Sequence, residues 1–238
     1  MRPAALATAL RVTGAHTVEM RAVPATGDCF YDAMHLLLPQ AGRVDELADA
    51  EAMRDTIAES ITEEHFELWR MFSGAGVEDF AWLAHHRAPS NLNEVRIFAK
   101  RSGKEHGAGQ CLWADEHALQ TISVLAGVRL LIFDEQAPSR GSRSGHARGG
   151  NPSVPAVDSR FVTVGEACFS RVVLLHRSRR QHYSPVFIDG KGVLDVSELP
   201  AATRALWPSL TSGTPSAAAM EPSSDVASSK QSAGKRKR

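Results

Sequence analysis

Cysteine is scarce in this 238-residue sequence, which has only Cys29, Cys111 and Cys168. The three residues are odd in number, far apart in the chain and outside any Cys-x-x-Cys spacing. This pattern argues against a disulfide framework and against a structural zinc site, and it fits a reducing compartment. We therefore expect a cytoplasmic protein.

Long hydrophobic runs are also missing. No stretch approaches the roughly 18 consecutive apolar residues that a membrane span requires. The opening letters, MRPAALATALRVTG, lack the continuous apolar core of a secretory signal peptide, although Arg2 and Arg11 without acidic neighbours leave an organelle-targeting role as an alternative. We expect residues 1–15 to form an N-terminal lead-in and the protein to have no membrane partner.

The sequence carries no net charge, because Lys plus Arg and Asp plus Glu each total 27. Any attraction to a polyanion must therefore be local. The best local candidate is the basic patch Lys235–Arg238, which could serve nuclear import or polyanion binding. Basic residues interleaved with aromatic ones are absent, which argues against nucleic-acid binding.

Composition divides the chain into one folded unit with two low-complexity segments. Hydrophobic residues make up 43% and charged residues 23% of the sequence, as is ordinary for a globular protein. Residues 136–159 are dominated by Ser, Arg, Gly and Pro, and residues 208–238 by Ser, Ala and Thr. We predict a disordered insertion and a disordered basic tail around a single monomeric domain at 16–192.

The stretch TGDCFYDAM places Cys29 between a turn and a helix. Pro24 and Gly27 interrupt the preceding strand pattern, and the following apolar residues repeat at helical spacing until Pro39. A cysteine at a helix N-terminus gains thiolate stabilisation from unpaired N–H groups and aligned peptide dipoles. The alternative is a buried, inert cysteine, which is the commoner case.

A catalytic cysteine also needs an imidazole, and His182 is the candidate among ten histidines. It opens a late strand pattern, directly after the basic turn RSRRQ, and Tyr183 follows it. By contrast, we expect His117 to face solvent from the helix that follows Trp113. A strand-end histidine exposed to water remains the alternative for His182.

Three blocks in order, TGDCFYDAM, WADEHALQTIS and HYSPV, resemble the ovarian-tumour (OTU) family of cysteine proteases. The similarity covers residues 16–190, and the LLIFD strand falls where the family has one. It implies an α+β, papain-like fold with a small central β-sheet flanked by helices. The matching residues are Gly27, Asp28, Cys29, Phe30 and Tyr31, then Trp113, Leu119 and Gln120, and finally His182 and Tyr183.

The resemblance implies a thiol-dependent deubiquitinase. Such an enzyme hydrolyses the isopeptide or peptide bond after the C-terminal glycine of ubiquitin or a ubiquitin-like protein, so ubiquitin conjugates are the implied partners. Cys29 would attack the carbonyl, and His182 would take the thiol proton and later protonate the leaving amine. Neither a metal nor an organic cofactor is implied.

The same resemblance assigns supporting residues. Thr26, Gly27 and Asp28 would form the oxyanion loop with the Cys29 amide, and Asp28 would support the site. Trp113 and Tyr183 would shape or support it. A core tryptophan is an equal alternative for Trp113.

Two positions depart from the family pattern and leave the third catalytic residue open. Thr26 stands where the family usually has an aspartate, and Ser184 stands where an Asp or Asn usually orients the histidine. Ser184 can hydrogen-bond to the ring, but it has no charge with which to stabilise an imidazolium.

Three functions therefore remain. The first is an active deubiquitinase in which Ser184 or a remote residue orients His182, and in which the atypical triad can lower the rate. The second is an OTU-like module that binds ubiquitin with little or no catalysis. The third is a nuclear interaction protein that acts through its basic loop and tail. The paired Cys29 and His182 favour the first.

Overall fold

The computed structural model describes residues 3–13, 15–39, 44–74, 89–107, 109–135, 159–178 and 182–210. The predicted insertion at 136–159 lies outside these residues except for Ser159. The predicted tail lies outside them from residue 211 onward, and so does the basic patch Lys235–Arg238.

The described helices are short, and several begin and end where the sequence places breakers and caps. Cys29 opens the helix that the apolar periodicity predicts, and Leu38 ends it just before Pro39. Asp49, Asn91 and Asp115 each cap a later helix by accepting a hydrogen bond from a backbone N–H in its first turn. The α-helices are α1 Pro3–Ala9, α2 Cys29–Leu37, α3 Ala50–Ser60, α4 Glu63–Gly74, α5 Leu92–Lys100, α6 Gly103–His106, α7 Glu116–Ala126 and α8 Ala201–Arg204.

The described strands form one mixed, six-stranded sheet of order β1-β5-β4-β2-β3, in which β6 also pairs with β4. The pairing of β2 with β4 is parallel, and the other pairings are antiparallel. The parallel pair is buried on both faces, which explains its continuous apolar runs. The strands are β1 Val18–Met20, β2 Arg129–Glu135, β3 Ser159–Val164, β4 Arg171–Ser178, β5 His182–Ile188 and β6 Val193–Asp195.

Alternation along the strands gives the sheet two packed faces. On one face, Tyr183 and Phe187 of β5 join the apolar cluster that contains Phe30 and Met34 of α2. On the other face, Val186 and Ile188 of β5 belong to a second apolar cluster, to which residues near both ends of the described chain contribute. The predicted α+β class, a mixed sheet flanked by helices, is confirmed.

The packed unit is longer at both ends than the predicted domain 16–192. Leu6 and Leu10 in and just after α1 are almost fully buried, as is Trp207 beyond α8. The hydroxyl of Thr203 donates to the carbonyl oxygen of Leu10 at 2.8 Å. Leu6 and Leu10, which lie within the predicted lead-in 1–15, therefore contribute to the core on the second face of the sheet.

None of the helices in the described part of the chain has the length and apolar character needed to cross a lipid bilayer.

Candidate functional site

Cys29 is the first residue of α2 and follows a tight turn. Gly27 has a φ of 97°, a left-handed backbone conformation that strains any residue with a Cβ atom. The turn lets the chain enter the helix directly, and the first helical bond runs from the Asp32 N–H to the Asp28 carbonyl at 2.9 Å. Cys29 therefore lies at a helix N-terminus, as the sequence predicts.

The sulfur of Cys29 lies against the beginning of β5. The backbone N–H of Tyr183 donates to its Sγ at 3.4 Å. Among the described residues, the pairing of β1 with β5 stops at Val186, and one further hydrogen bond runs from the Arg21 N–H to the Pro185 carbonyl oxygen, so β1 does not cover the start of β5. His182 precedes Tyr183 in the chain, so the fold brings the two predicted catalytic residues to one end of one strand.

Burial dominates the ionisation of Cys29, which is only 6% exposed. Desolvation raises the pKa of the thiol, while the N–H groups of Tyr183 and Phe30 oppose this rise and the charge of Asp32 adds to it. The stabilisation that the sequence predicts from the helix N-terminus is therefore outweighed by burial, and the resting thiol is neutral. Nucleophilic attack needs a base.

His182 has the properties of such a base. It is half-buried, and desolvation lowers the pKa of its imidazole below the ordinary 6.5. The ring is therefore neutral at pH 7 and able to accept a proton. Its Nδ1 is buried and has no hydrogen-bond partner among the described residues.

Ser184 lies two residues further along β5 and shares a strand face with His182. Its side chain is buried, with 6% of the residue exposed. The side chain of the predicted orienter therefore lies on the same face of β5 as that of His182.

Tyr183 faces the opposite side and anchors β5 to α2. Its ring packs edge-on against Phe30, with 5.4 Å between ring centroids. Its hydroxyl accepts a hydrogen bond from Arg177 at 3.3 Å, and Arg177 in turn pairs with buried Asp134 at 2.6 Å. These contacts fix the strand segment whose N–H reaches Cys29, which gives Tyr183 a supporting position.

The carboxylate of Asp28 is fully buried and occupied within the protein. Besides Arg54, it accepts hydrogen bonds from the Ser102 hydroxyl and from the backbone N–H groups of Gly103 and Lys104, all between 2.9 and 3.0 Å. Desolvation acts to raise its pKa, but the Gly103 hydrogen bond and the Arg54 charge outweigh it and lower the pKa. Through these hydrogen bonds, Asp28 holds the turn before Cys29 against the start of α6.

Arg54 of α3 completes this arrangement and was missed by sequence reasoning. Its guanidinium, 1% exposed, lies 2.6 Å from Asp28 Oδ1. It also donates to the carbonyl oxygens of Gly27, Ala99 and Leu112 at 2.9 to 3.0 Å. The sequence carries one indication of this role. Arg54 is next to Met53 in a helix with an apolar face, and a charged side chain in such a position is buried only if it is paired.

Thr26 and Trp113 occupy supporting positions around the turn. An ideal Cβ on Gly103 would lie 1.8 Å from the Thr26 carbonyl oxygen, so the two backbones are in close contact. The Thr26 hydroxyl is buried and finds no hydrogen-bond partner in the described part of the chain. Trp113 is half-buried and directly follows Leu112, whose carbonyl oxygen Arg54 binds.

His117 departs from its predicted solvent-facing position. It is half-buried on α7, where its Nε2 lies 2.9 Å from the Ser60 hydroxyl. Its ring centroid is 4.1 Å from that of His65. Within the described ranges, no group of three or more His, Cys, Asp or Glu side chains is arranged to hold a metal ion.

Comparison with known proteins finds no matching family model and no matching curated protein. Among solved structures, the chain is similar to an OTU domain in complex with ubiquitin, with a TM-score of 0.45, 13% identity and coverage of 82% of this chain and 84% of the other. It is also similar to the OTU domain of OTUD1 (0.40, 12%, 71% and 85%) and to the Hazara virus OTU bound to ubiquitin (0.39, 15%, 74% and 92%). Similarity of this extent does not establish membership of a family.

Proposed function

We propose that this protein is a cysteine hydrolase that cleaves the bond after the C-terminal glycine of ubiquitin or a ubiquitin-like protein. The observation that carries the proposal is the contact between Cys29 Sγ and the N–H of the residue after His182. It joins two motif blocks more than 150 residues apart, TGDCFYDAM and HYSPV. The substrate class follows from the resemblance of these blocks to OTU proteases.

The reaction begins from a neutral thiol and a neutral imidazole. His182 accepts the proton of Cys29 as the sulfur attacks the carbonyl carbon, and the Tyr183 N–H donor stabilises the developing thiolate. The carbonyl oxygen becomes an oxyanion, for which the backbone N–H groups of the turn at residues 26–29 are the available donors. His182 then protonates the departing lysine amine as the C–N bond breaks. Water next attacks the thioester carbon and gives a proton to His182, and the C–S bond breaks to release the ubiquitin carboxylate and Cys29, whose thiolate recovers that proton.

Hydrolysis of a fluorogenic amide at the C-terminus of ubiquitin tests this proposal. We expect wild type to release the fluorophore and Cys29→Ala to lose turnover completely. Cys168→Ala is the matched control, because Cys168 is an exposed free thiol outside the site, and this variant should retain the wild-type rate. Turnover that survives in Cys29→Ala would rule out the proposed nucleophile.

A second function, ubiquitin binding without catalysis, is favoured by the raised pKa of Cys29 and by the absence of an acid at Ser184. Calorimetric titration of ubiquitin into wild type separates the two. Binding without hydrolysis of the amide would replace the enzyme with a binding module.

A further inference from the structure

One face of the sheet gathers polar side chains around His182. In β4, Ser178 lies directly opposite His182, and His176 lies directly opposite Ser184. In β2, Glu135 is in register with Ser178. All five residues share a face, because each is an even number of positions from its neighbour in the same strand or directly opposite it in a paired strand.

Glu135 and His176 form a hydrogen-bonded pair on this face. His176 is 2% exposed, and its Nε2 lies 2.9 Å from the Glu135 carboxylate. Desolvation lowers the pKa of His176, although Glu135 opposes this shift, so the ring is neutral at pH 7. A carboxylate only accepts hydrogen bonds, so Nε2 carries the ring proton and Nδ1 of His176 is left as an acceptor.

The register brings this acceptor close to the proposed base. Side chains directly opposite each other in an antiparallel pair have Cβ atoms about 5 Å apart, and diagonal neighbours about 7 Å apart. Ser184 therefore lies directly opposite His176. His182 is the diagonal neighbour of His176, at a separation that two imidazole side chains can span. His182 also carries the buried Nδ1 that has no hydrogen-bond partner among the described residues.

We propose that Glu135 and His176 are positioning residues for His182, with the Ser184 hydroxyl as the link between the two rings. This inference rests on the proposed function, since it supplies the orienting group that Ser184 alone does not provide. Glu135 fixes the tautomer of His176, which leaves His176 Nδ1 as the acceptor for the Ser184 hydroxyl. In the structure His182 Nδ1 has no hydrogen-bond partner among the described residues, so the proposed bond from the His182 ring to the Ser184 oxygen forms once His182 has taken up the thiol proton.

The proton balance of the step is simple. The thiol proton moves from Cys29 to His182, and the resulting imidazolium gains a hydrogen-bond acceptor that is connected to the Glu135 carboxylate. No proton reaches Glu135. The same proton leaves with the amine when the C–N bond breaks.

The test measures kcat and KM for the ubiquitin amide, together with the His182 pKa by NMR titration. We expect Glu135→Gln and His176→Gln to lower kcat by about tenfold or more with KM little changed, a part of the 10²–10⁴-fold that acid–base catalysis supplies. The pKa of His182 should fall in both variants, because its imidazolium loses a stabilising acceptor. Glu67→Gln, at an exposed carboxylate of α4, is the control and should match wild type.

Rescue separates positioning from folding. Adding Ser184→Asp to His176→Gln places a carboxylate two residues after His182 and should restore much of kcat, which a merely unfolded variant would not allow. If wild type hydrolyses the amide but neither kcat nor the His182 pKa changes in Glu135→Gln and His176→Gln, the positioning role is wrong and the proposed function stands. If wild type is inactive, the proposed function fails, and an unchanged His182 pKa in Glu135→Gln would also remove the positioning contact.

Discussion

Among single residues, the position of Cys29 depends on a buried ion pair that takes no part in the proposed chemistry. Asp28 precedes the cysteine directly, and Arg54 neutralises its carboxylate in the protein interior. Removing one member of such a pair leaves an uncompensated buried charge, which costs far more than the pair itself contributes. The turn before α2 is therefore sensitive to changes in α3.

We predict that Arg54→Met lowers the free energy of unfolding by about 3–5 kcal/mol, the usual cost of breaking a buried pair from one side. Urea unfolding measures this change. The double variant Asp28→Asn with Arg54→Met should be less destabilised than Arg54→Met alone, since no charge stays buried. The exposed pair Arg70–Glu67 offers the control, because Arg70→Met should cost less than about 1 kcal/mol. Equal effects at Arg54 and Arg70 would contradict the role of the buried pair.

Local sequence predicted part of this site and could not predict the rest. The turn at Gly27, the helix from Cys29 and the strand from His182 follow from breakers and periodicity within a few residues. The partners of Arg54 lie 26, 45 and 58 residues away in the chain, so no local pattern indicates them. The pairing of Glu135 with His176 depends in the same way on the register between β2 and β4.

At the scale of elements, the packing of α7 against the end of α3 creates a pH-sensitive contact. The sequence predicts a helix after Trp113, and α7 is that helix; it ends at Gly127, which has a left-handed φ of 59°. The sequence did not place His117 beside His65 and Ser60, because helix periodicity gives a face but not the neighbouring helix. Desolvation, with the charge of His65, lowers the pKa of His117 to about 4.

This shift predicts acid destabilisation. Between pH 6.5 and about 4 the unfolded chain binds a proton at His117 that the folded chain does not, so the free energy of unfolding falls as the pH falls. The slope from one group is at most about 1.4 kcal/mol per pH unit. Thermal unfolding across this range should show a weaker pH dependence in His117→Gln than in wild type. Identical pH dependence in the two proteins would show that His117 titrates normally in the folded state.

At the scale of the whole molecule, both ends of the described chain complete the core on one face of the sheet. Leu6, Leu10 and Trp207 pack on the face formed by Leu131, Val172 and Val186, while α2 covers the other face. The resemblance to OTU proteases began only at residue 16, so it could not reveal the core contribution of α1. His182 lies at one end of this sheet, and its geometry therefore depends on packing on both faces.

Shortening the chain tests this arrangement. We predict that residues 16–192 alone unfold at a markedly lower temperature than residues 3–210, because loss of even one large buried side chain costs about 2–5 kcal/mol. A milder test uses single substitutions in the full chain. We expect Leu10→Ala to lower the melting temperature more than Leu36→Ala, because Leu10 is buried whereas Leu36 is 41% exposed on α2. Equal melting temperatures for the two shortened chains would show that α1 and the segment through Leu210 are dispensable.

The proposed function depends on Cys29 acting as a nucleophile toward the C-terminus of ubiquitin. The most direct measurement is reaction of the full chain with ubiquitin whose C-terminal carboxylate is replaced by an electrophile, followed by mass spectrometry of the peptides. We expect one ubiquitin per chain, attached at Cys29, no adduct in Cys29→Ala and slower labelling in His182→Ala. Absence of an adduct, or attachment at Cys111 or Cys168 in place of Cys29, would contradict the proposed function.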